Sequence, residues 1–228
     1  MATSRRVKSL PAKFLASLQS EGPTPALQKL FRYIKQRVLH HIRSLYPALG
    51  LESPLRNPDR EFLENVIFPQ ISSDGAIERI LFVGVEYYTW HYSKQFRHKQ
   101  FHTLDIEEDH AAFGNQGLHT IGSVADLTTL FGTDVFDLVL INGLVPAHLS
   151  EKTQIDQALV ESFRVLKSGG RLIIGWNNYG TLGFLLEDLD GYGLFSTYVP
   201  DGVTTPSNRV EANAENKHTF DFLLKPPS

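Results

Sequence analysis

The stretch RILFVGVEYYTWHYSK, Arg79 to Lys94, decides how this chain is read. Ile80–Val83 is a short apolar run and Gly84 closes it. A strand that ends on glycine can turn sharply and bring its backbone close to a ligand. A phosphate-binding loop would continue with more glycines leading into a helix. Here Val85, Glu86, Tyr87, Tyr88, Thr89 and Trp90 follow instead. Either the loop serves a ligand without phosphates, or the strand simply ends in aromatic residues that pack a helix onto the sheet.

Four further apolar runs follow: FHTLDI (101–106), HTIGSV (119–124), FDLVLIN (136–142) and GRLIIGWN (170–177). The spacing leaves room for helices starting near Thr89, Glu108 and Glu151. Strands alternating with helices predict a parallel sheet covered on both faces. GLFSTYVP (193–200) and HTFDFLLK (218–225) have no convincing helix between them and fit an antiparallel pair at one edge. Asp137, at the start of its strand, is expected to be structural. KSGG (167–170) reads as the C-cap turn of a helix entering the next strand.

Upstream of the sheet, Leu27, Leu30, Phe31, Ile34, Val38, Ile42 and Leu45 recur at spacings of three and four, an amphipathic helix that stops before Pro47 and Gly50. A basic amphipathic helix can lie on a membrane, but its stripe is expected to dock on its own domain. NPDREFLENVIF (57–68) predicts a second helix, with Asn57 as N-cap, Pro58 at its first position and Pro69 near its end. The organisation expected is a flexible basic tail over 1–24, a helical lid over 25–78 and a sheet domain over 79–228.

The composition excludes some chemistry. There is no cysteine, so disulfides, Cys-ligated zinc and a cysteine nucleophile are excluded, and nothing calls for an oxidising compartment. No apolar run approaches the length of a membrane span. A cytoplasmic protein is the expectation. The net charge is −3, but residues 1–43 carry nine Lys/Arg against Glu21 alone, about +8, which leaves the rest near −11. A basic arm on an acidic body most simply folds back on that body; it also suits a homodimer contact, an acidic partner, a membrane surface or an anionic substrate, and the acidic remainder argues against a nucleic-acid-binding sheet domain.

In an open parallel sheet the ligand lies beyond the carboxyl ends of the strands, where strand order reverses. Gly84 and Asp105 both stand there, 21 residues apart. That is the separation at which an acid accepts from the two ribose hydroxyls in a βαβ nucleotide site. Asp126 is placed to accept from an exocyclic amine beside the Val124–Ala125 backbone, or to cap the next helix. Asn142 and Gly143 end the fourth strand. Among general bases, His148 follows that strand and His91 follows the first loop; each also reads as an ordinary surface or helix-start histidine. DIEEDH (105–110) reads as a solvated helix start, not a metal cluster.

FRVLKSGGRLIIGW (163–176), FDLVLINGL (136–144) and TLDI (103–106), in this order and spacing, resemble the class I S-adenosylmethionine-dependent methyltransferases. The resemblance spans about Arg79 to Asn178. It implies an α/β fold: a Rossmann-like, doubly wound, seven-stranded and mostly parallel sheet with an antiparallel edge strand, plus the N-terminal helices. It implies S-adenosylmethionine as cofactor, held by Gly84, Val85, Glu86, Tyr87, Asp105, Ile106, Val124, Ala125, Asp126, Asn142 and Gly143, with no metal. The family's first loop runs acid-x-Gly-x-Gly-x-Gly. In this chain Phe82 takes the acid place, Gly84 the first glycine, Glu86 the second and Tyr88 the third. Glu86 is positioned to meet the cofactor's ammonium, and would repel a pyrophosphate. The activity implied is methyl transfer to a small molecule, most simply O-methylation of a hydroxylated metabolite or sugar-like acceptor. The alternatives are a non-catalytic binding or assembly module with the same fold, and an enzyme that keeps the cofactor for non-methylating chemistry.

Overall fold

The computed structural model describes residues 18–20, 23–180, 182–201, 203 and 208–227. Most of the tail expected over 1–24 lies outside them. The chain forms two compact units, Met1–Leu49 and Gly50–Ser228. The first contains α1 (Pro23–Ser44) and α2 (Tyr46–Leu49). Along α1 the apolar stripe is open: Leu27, Phe31, Ile34, Val38 and Ile42 are 48–71% accessible.

The second unit opens with α3 (Pro58–Phe62), a π-helical turn (Leu63–Ile67) and α4 (Phe68–Ser73). Asn57 stands at the N-cap in extended conformation but makes no side-chain capping bond. Pro69 does not end the helix. The wider π turn precedes it, and Pro69 falls in the first turn of α4, where its missing N–H costs little.

Eight strands follow: β1 (Arg79–Val83), β2 (Gln100–Asp105), β3 (His119–Ile121), β4 (Phe136–Val145), β5 (Leu166–Asn177), β6 (Ser196–Thr197), β7 (Arg209–Asn213) and β8 (His218–Leu224). Their order is β3-β2-β1-β4-β5-β8-β6, with β7 also on β8. β1 to β5 pair in parallel and β8 runs antiparallel to β5. The expected count of seven is therefore corrected to eight. β6 pairs with Leu223–Leu224, and β7 with the stretch around His218–Asp221. Because β5 holds the other side of β8, these two short strands share one edge position, so there are seven rows but eight strands. HTFDFLLK is thus an inner strand, GLFSTYVP contributes only two strand residues, and β7 had no apolar run to announce it.

The connections also differ from expectation. After β1 there is only α5 (Tyr92–Gln95), and after β2 only a 3-10 segment, Glu108–Phe113. After β3 comes the short α6 (Leu127–Phe131), and the full-length crossover helix is α7 (Lys152–Val165), between β4 and β5. With no long helix after β1, the face over β1 and β2 is covered from upstream. Leu63, Ile67, Phe68 and Ile71 pack with Ile80, Phe82, Tyr92, Phe96 and Phe101 in one buried cluster. The opposite face carries Ile155, Ala158, Leu159 and Val165 of α7 against Leu81, Val139, Ile141 and Leu172. The helix ends at Val165, and the KSGG glycines lie within β5, where Gly169 turns with φ +75°. Asp137 is structural: its carboxylate accepts from the Glu78 and Arg79 amides and from Lys167, at the end of the sheet opposite the glycine turn.

On β8, Asp221 is fully buried and Arg209 of β7 grips it with two bonds, Nε–Oδ1 at 2.5 Å and Nη2–Oδ2 at 2.6 Å. Removing one partner of a buried pair leaves the other charge uncompensated. Arg209→Ala should therefore destabilise the fold by about 3–5 kcal/mol in chemical denaturation. A loss below about 1 kcal/mol, the value of an exposed pair, would show that Asp221 is not held as an ion.

Candidate functional site

The register of the sheet builds the site. Val83 pairs with Leu104 and Ile141, and Ile141 with Ile174. The next residue on each strand or turn is therefore level: Gly84, Asp105, Asn142 and Gly175. This level lies at the carboxyl edge, beside the point between β1 and β4 where strand order reverses. A cavity of about 220 Å³ opens there.

Gly84 turns the chain with φ +88°, and its N–H still donates to Leu104 at 2.8 Å. A Cβ at this position would lie 3.3 Å from Leu144, so a side chain meets both strain and crowding. The turn needs no further glycine because Thr89 closes it. The Glu86 amide donates to Thr89 Oγ1 at 2.9 Å, and the Thr89 amide and hydroxyl both donate to the Glu86 carbonyl. The aromatic residues then divide. Tyr92 is wholly buried between Phe68 and Phe82, and Trp90 donates to the Leu51 carbonyl at 3.1 Å. Tyr88 lines the cavity, with Tyr87 edge-on against it outside the lining.

Asp105 is buried and accepts from the Val85 amide at 2.9 Å and the Glu107 amide at 2.8 Å. His110 Nδ1 lies 3.4 Å from the same carboxylate and its Nε2 4.0 Å from Glu86. Burial alone would push the Asp105 carboxyl up. The contact with His110 and the two amides outweigh it and hold the group below the usual carboxylate range. The hydrogen bond to Asp105, with Glu86 adding to it, raises His110 against burial.

Arg60, 8% exposed, also lines the cavity. Its Nη1 donates to the Tyr92 hydroxyl at 3.3 Å and its guanidinium sits 5.0 Å from the centre of the Tyr88 ring. The Tyr92 hydroxyl, kept protonated by burial, donates in turn to Glu64 at 2.7 Å. Among the described residues no carboxylate lies in ion-pair range of Arg60. A guanidinium does not deprotonate, so its charge stays and faces the cavity with donors to spare.

At the β4 end, Asn142 Oδ1 lies 2.9 Å from His218 Nε2, and Asn177 Oδ1 lies 2.7 Å from His218 Nδ1. Burial keeps His218 neutral. A neutral ring has one N–H, so it cannot donate to two oxygens. The amide with an unpartnered Nδ2 is that of Asn142. Turned over, it donates to Nε2, and its oxygen takes the place of the unpartnered nitrogen. Gly175 makes room for this pair: a Cβ there would fall 2.1 Å from the Asn142 amide.

Of the residues singled out in the sequence, Gly84, Val85, Glu86, Asp105, Ile106, Val124, Asn142, Gly143 and His148 line the cavity. Tyr87, Ala125, Asp126 and His91 do not. Ser123, not Asp126, caps the turn that follows β3, accepting from the Ala125 amide at 3.1 Å. His91 is buried and held below its ordinary value by desolvation. Among the described residues no group of three His, Asp or Glu is placed to hold a metal ion. Arg60, Thr89, His110 and His218 were not foreseen. Arg60 carries a legible signal, because it stands on the same helical stripe as Leu63 and Ile67, where a surface arginine does not belong.

Residues 83–174 match the family model described as a methyltransferase domain. No curated protein sequence matches the chain. Similar solved structures include N-methyltransferase NodS from Bradyrhizobium japonicum in complex with S-adenosyl-L-homocysteine, 17% identical. That match covers 75% of this chain and 89% of NodS, with a TM-score of 0.54. The TehB-like SAM-dependent methyltransferase from Corynebacterium glutamicum is 15% identical, with 86% and 99% covered and a TM-score of 0.52. The PH0226 protein from Pyrococcus horikoshii is 16% identical, with 73% and 88% covered and a TM-score of 0.51. At these identities the likeness to the solved structures is one of fold.

The histidines give a signed pH dependence. His91, His102, His119 and His218 are held below 6.5 by burial, so the unfolded chain binds their protons first as pH falls below 6.5, and stability falls with it. His110 is raised, so its contribution is complete below 6.5 and is lost as pH rises through its folded value. In urea denaturation between about pH 7 and 5, His218→Gln should flatten the decline, by up to about 1.4 kcal/mol per pH unit. His110→Gln should steepen it. Parallel profiles for all three proteins would refute this assignment.

Proposed function

We propose that the domain matched over residues 83–174 as a methyltransferase domain is of the class I, S-adenosylmethionine-dependent kind, and that it methylates a hydroxyl group of a small metabolite or sugar-like acceptor. The observation that carries the cofactor reading is that a carboxylate, Glu86, and a buried guanidinium, Arg60, line the same cavity. The methionine end of this cofactor is a zwitterion. Its ammonium suits the Glu86 carboxylate, and its carboxylate suits the spare donors of Arg60. Asp105, level with Gly84 and Asn142, keeps lone pairs free for the ribose hydroxyls after accepting from two amides. The Ser123–Val124 turn would border the adenine.

When bound, the cofactor supplies a methyl group on a positively charged sulfur. What the chain must add is alignment of the acceptor and exclusion of water, because displacement at carbon depends chiefly on positioning. His148 lines the cavity at the turn after β4 and is exposed, so it can take the proton from an acceptor hydroxyl and pass it to solvent. A small acceptor is favoured by the acidic charge outside residues 1–43 and by a rim bearing Glu86, Asp105 and Glu107, all of which repel a phosphate backbone. His91, buried outside the lining, takes no part in this reading.

Calorimetry with S-adenosylhomocysteine and with adenosine separates the contacts. Asp105→Ala should weaken both ligands by about 10–100-fold, the value of one or two bonds to a charged acceptor. Arg60→Met should weaken S-adenosylhomocysteine to a similar degree and leave adenosine, which has no carboxylate, within about twofold. Absence of binding at millimolar ligand would overturn the cofactor reading. With labelled methyl donor and a panel of hydroxylated acceptors, His148→Gln should lower kcat by about 10²–10⁴-fold. An unchanged kcat would exclude His148 as the base.

A further inference from the structure

We infer that α1 is an interfacial helix that lies on the surface of an anionic phospholipid bilayer. The inference is independent of the cofactor reading. Over its 22 residues α1 carries Lys29, Arg32, Lys35, Arg37 and Arg43 and no acid. Its apolar residues, Leu27, Phe31, Ile34, Val38 and Ile42, fall on one stripe and are 48–71% exposed, Phe31 the most. Helical spacing puts Lys35 and Arg37 on opposite flanks of that stripe, where long side chains run along an apolar surface and end in the headgroups. An apolar face bordered by cations is the arrangement that sinks partway into an interface and pairs with anionic lipid.

Length and polarity say that the helix lies on the bilayer. At about 1.5 Å per residue it is roughly 33 Å long, but no helix among the described residues is apolar enough to cross a membrane. A second copy is a poorer occupant. Two stripes packed together would bring their cationic flanks side by side, with no acid between residues 23 and 44 to pair with them. A nucleic acid would pair with the cations but leave the apolar stripe in water.

The test is co-sedimentation of the full chain with vesicles of phosphatidylcholine alone, or with about one-third phosphatidylserine. The chain should sediment with the anionic vesicles and remain in solution with the neutral ones, and about 0.5 M salt should release it. Arg32→Gln with Lys35→Gln should lower the partition about 25-fold, about fivefold per charge. Phe31→Asp with Val38→Asp should abolish it, with the thermal transition of the sheet unit unchanged. Failure to sediment at low salt overturns the proposal. So does equal sedimentation with both vesicles, or a Phe31-dependent dimer in light scattering without vesicle binding.

Discussion

A parallel sheet cannot leave either face in water, because its strands are apolar on both sides. In this chain that requirement reaches back before the first strand. Between β1 and β2 the sequence spends its residues on a tight turn and the four-residue α5. The bare face is covered instead by the run from Pro58 to Ser73, with Phe68 edge-on to Tyr92 and Phe96. Placement of the site follows from this substitution. Arg60 can stand over Tyr88 only because the helix that carries it is packed into the core of the sheet unit. A polar chain from Arg60 through the Tyr92 hydroxyl to Glu64 links that helix to the end of the turn.

The charge layout follows the same logic. The carboxylates gather where β1 and β2 end, and the buried guanidinium arrives from outside the sheet. A cation in that position is costly without an anion beside it. Tyr88 offers a ring face and Tyr92 a hydroxyl, and neither neutralises it. The same cavity is thus lined by an unneutralised guanidinium and by carboxylates. A dinucleotide, negative throughout its middle, would meet Glu86.

Much of this was legible from local pattern. The five parallel strands showed as apolar runs, and the register that levels Gly84, Asp105 and Asn142 follows from where those runs stop. What could not be read depends on distant partners. β7 is RVEAN, five residues whose only apolar members, Val210 and Ala212, are too few to announce a strand; it pairs with β8, where Arg209 meets Asp221. The loop after Gly84 seemed to lack its glycines because the device that replaces them, Thr89 turning back on Glu86, is a hydrogen-bond pattern and not a composition. His218 sits 76 residues from Asn142 and nothing local joins them. Arg60 was legible in principle, as a charge on an apolar stripe, but the segment that carries it was read only as part of a lid.

The divided last row of the sheet carries one more consequence. An uninterrupted outer strand beside β8 would present a ladder of unpaired amides and carbonyls, a template on which another chain could add a strand. Here that row is broken into Ser196–Thr197 and Arg209–Asn213, and the longer piece brings Arg209 and Glu211 to the rim. Neither piece offers the six or so unbroken residues on which cross-β stacking depends. The row that raised the strand count therefore also guards the sheet against growing, at the one margin where β8 has no long partner.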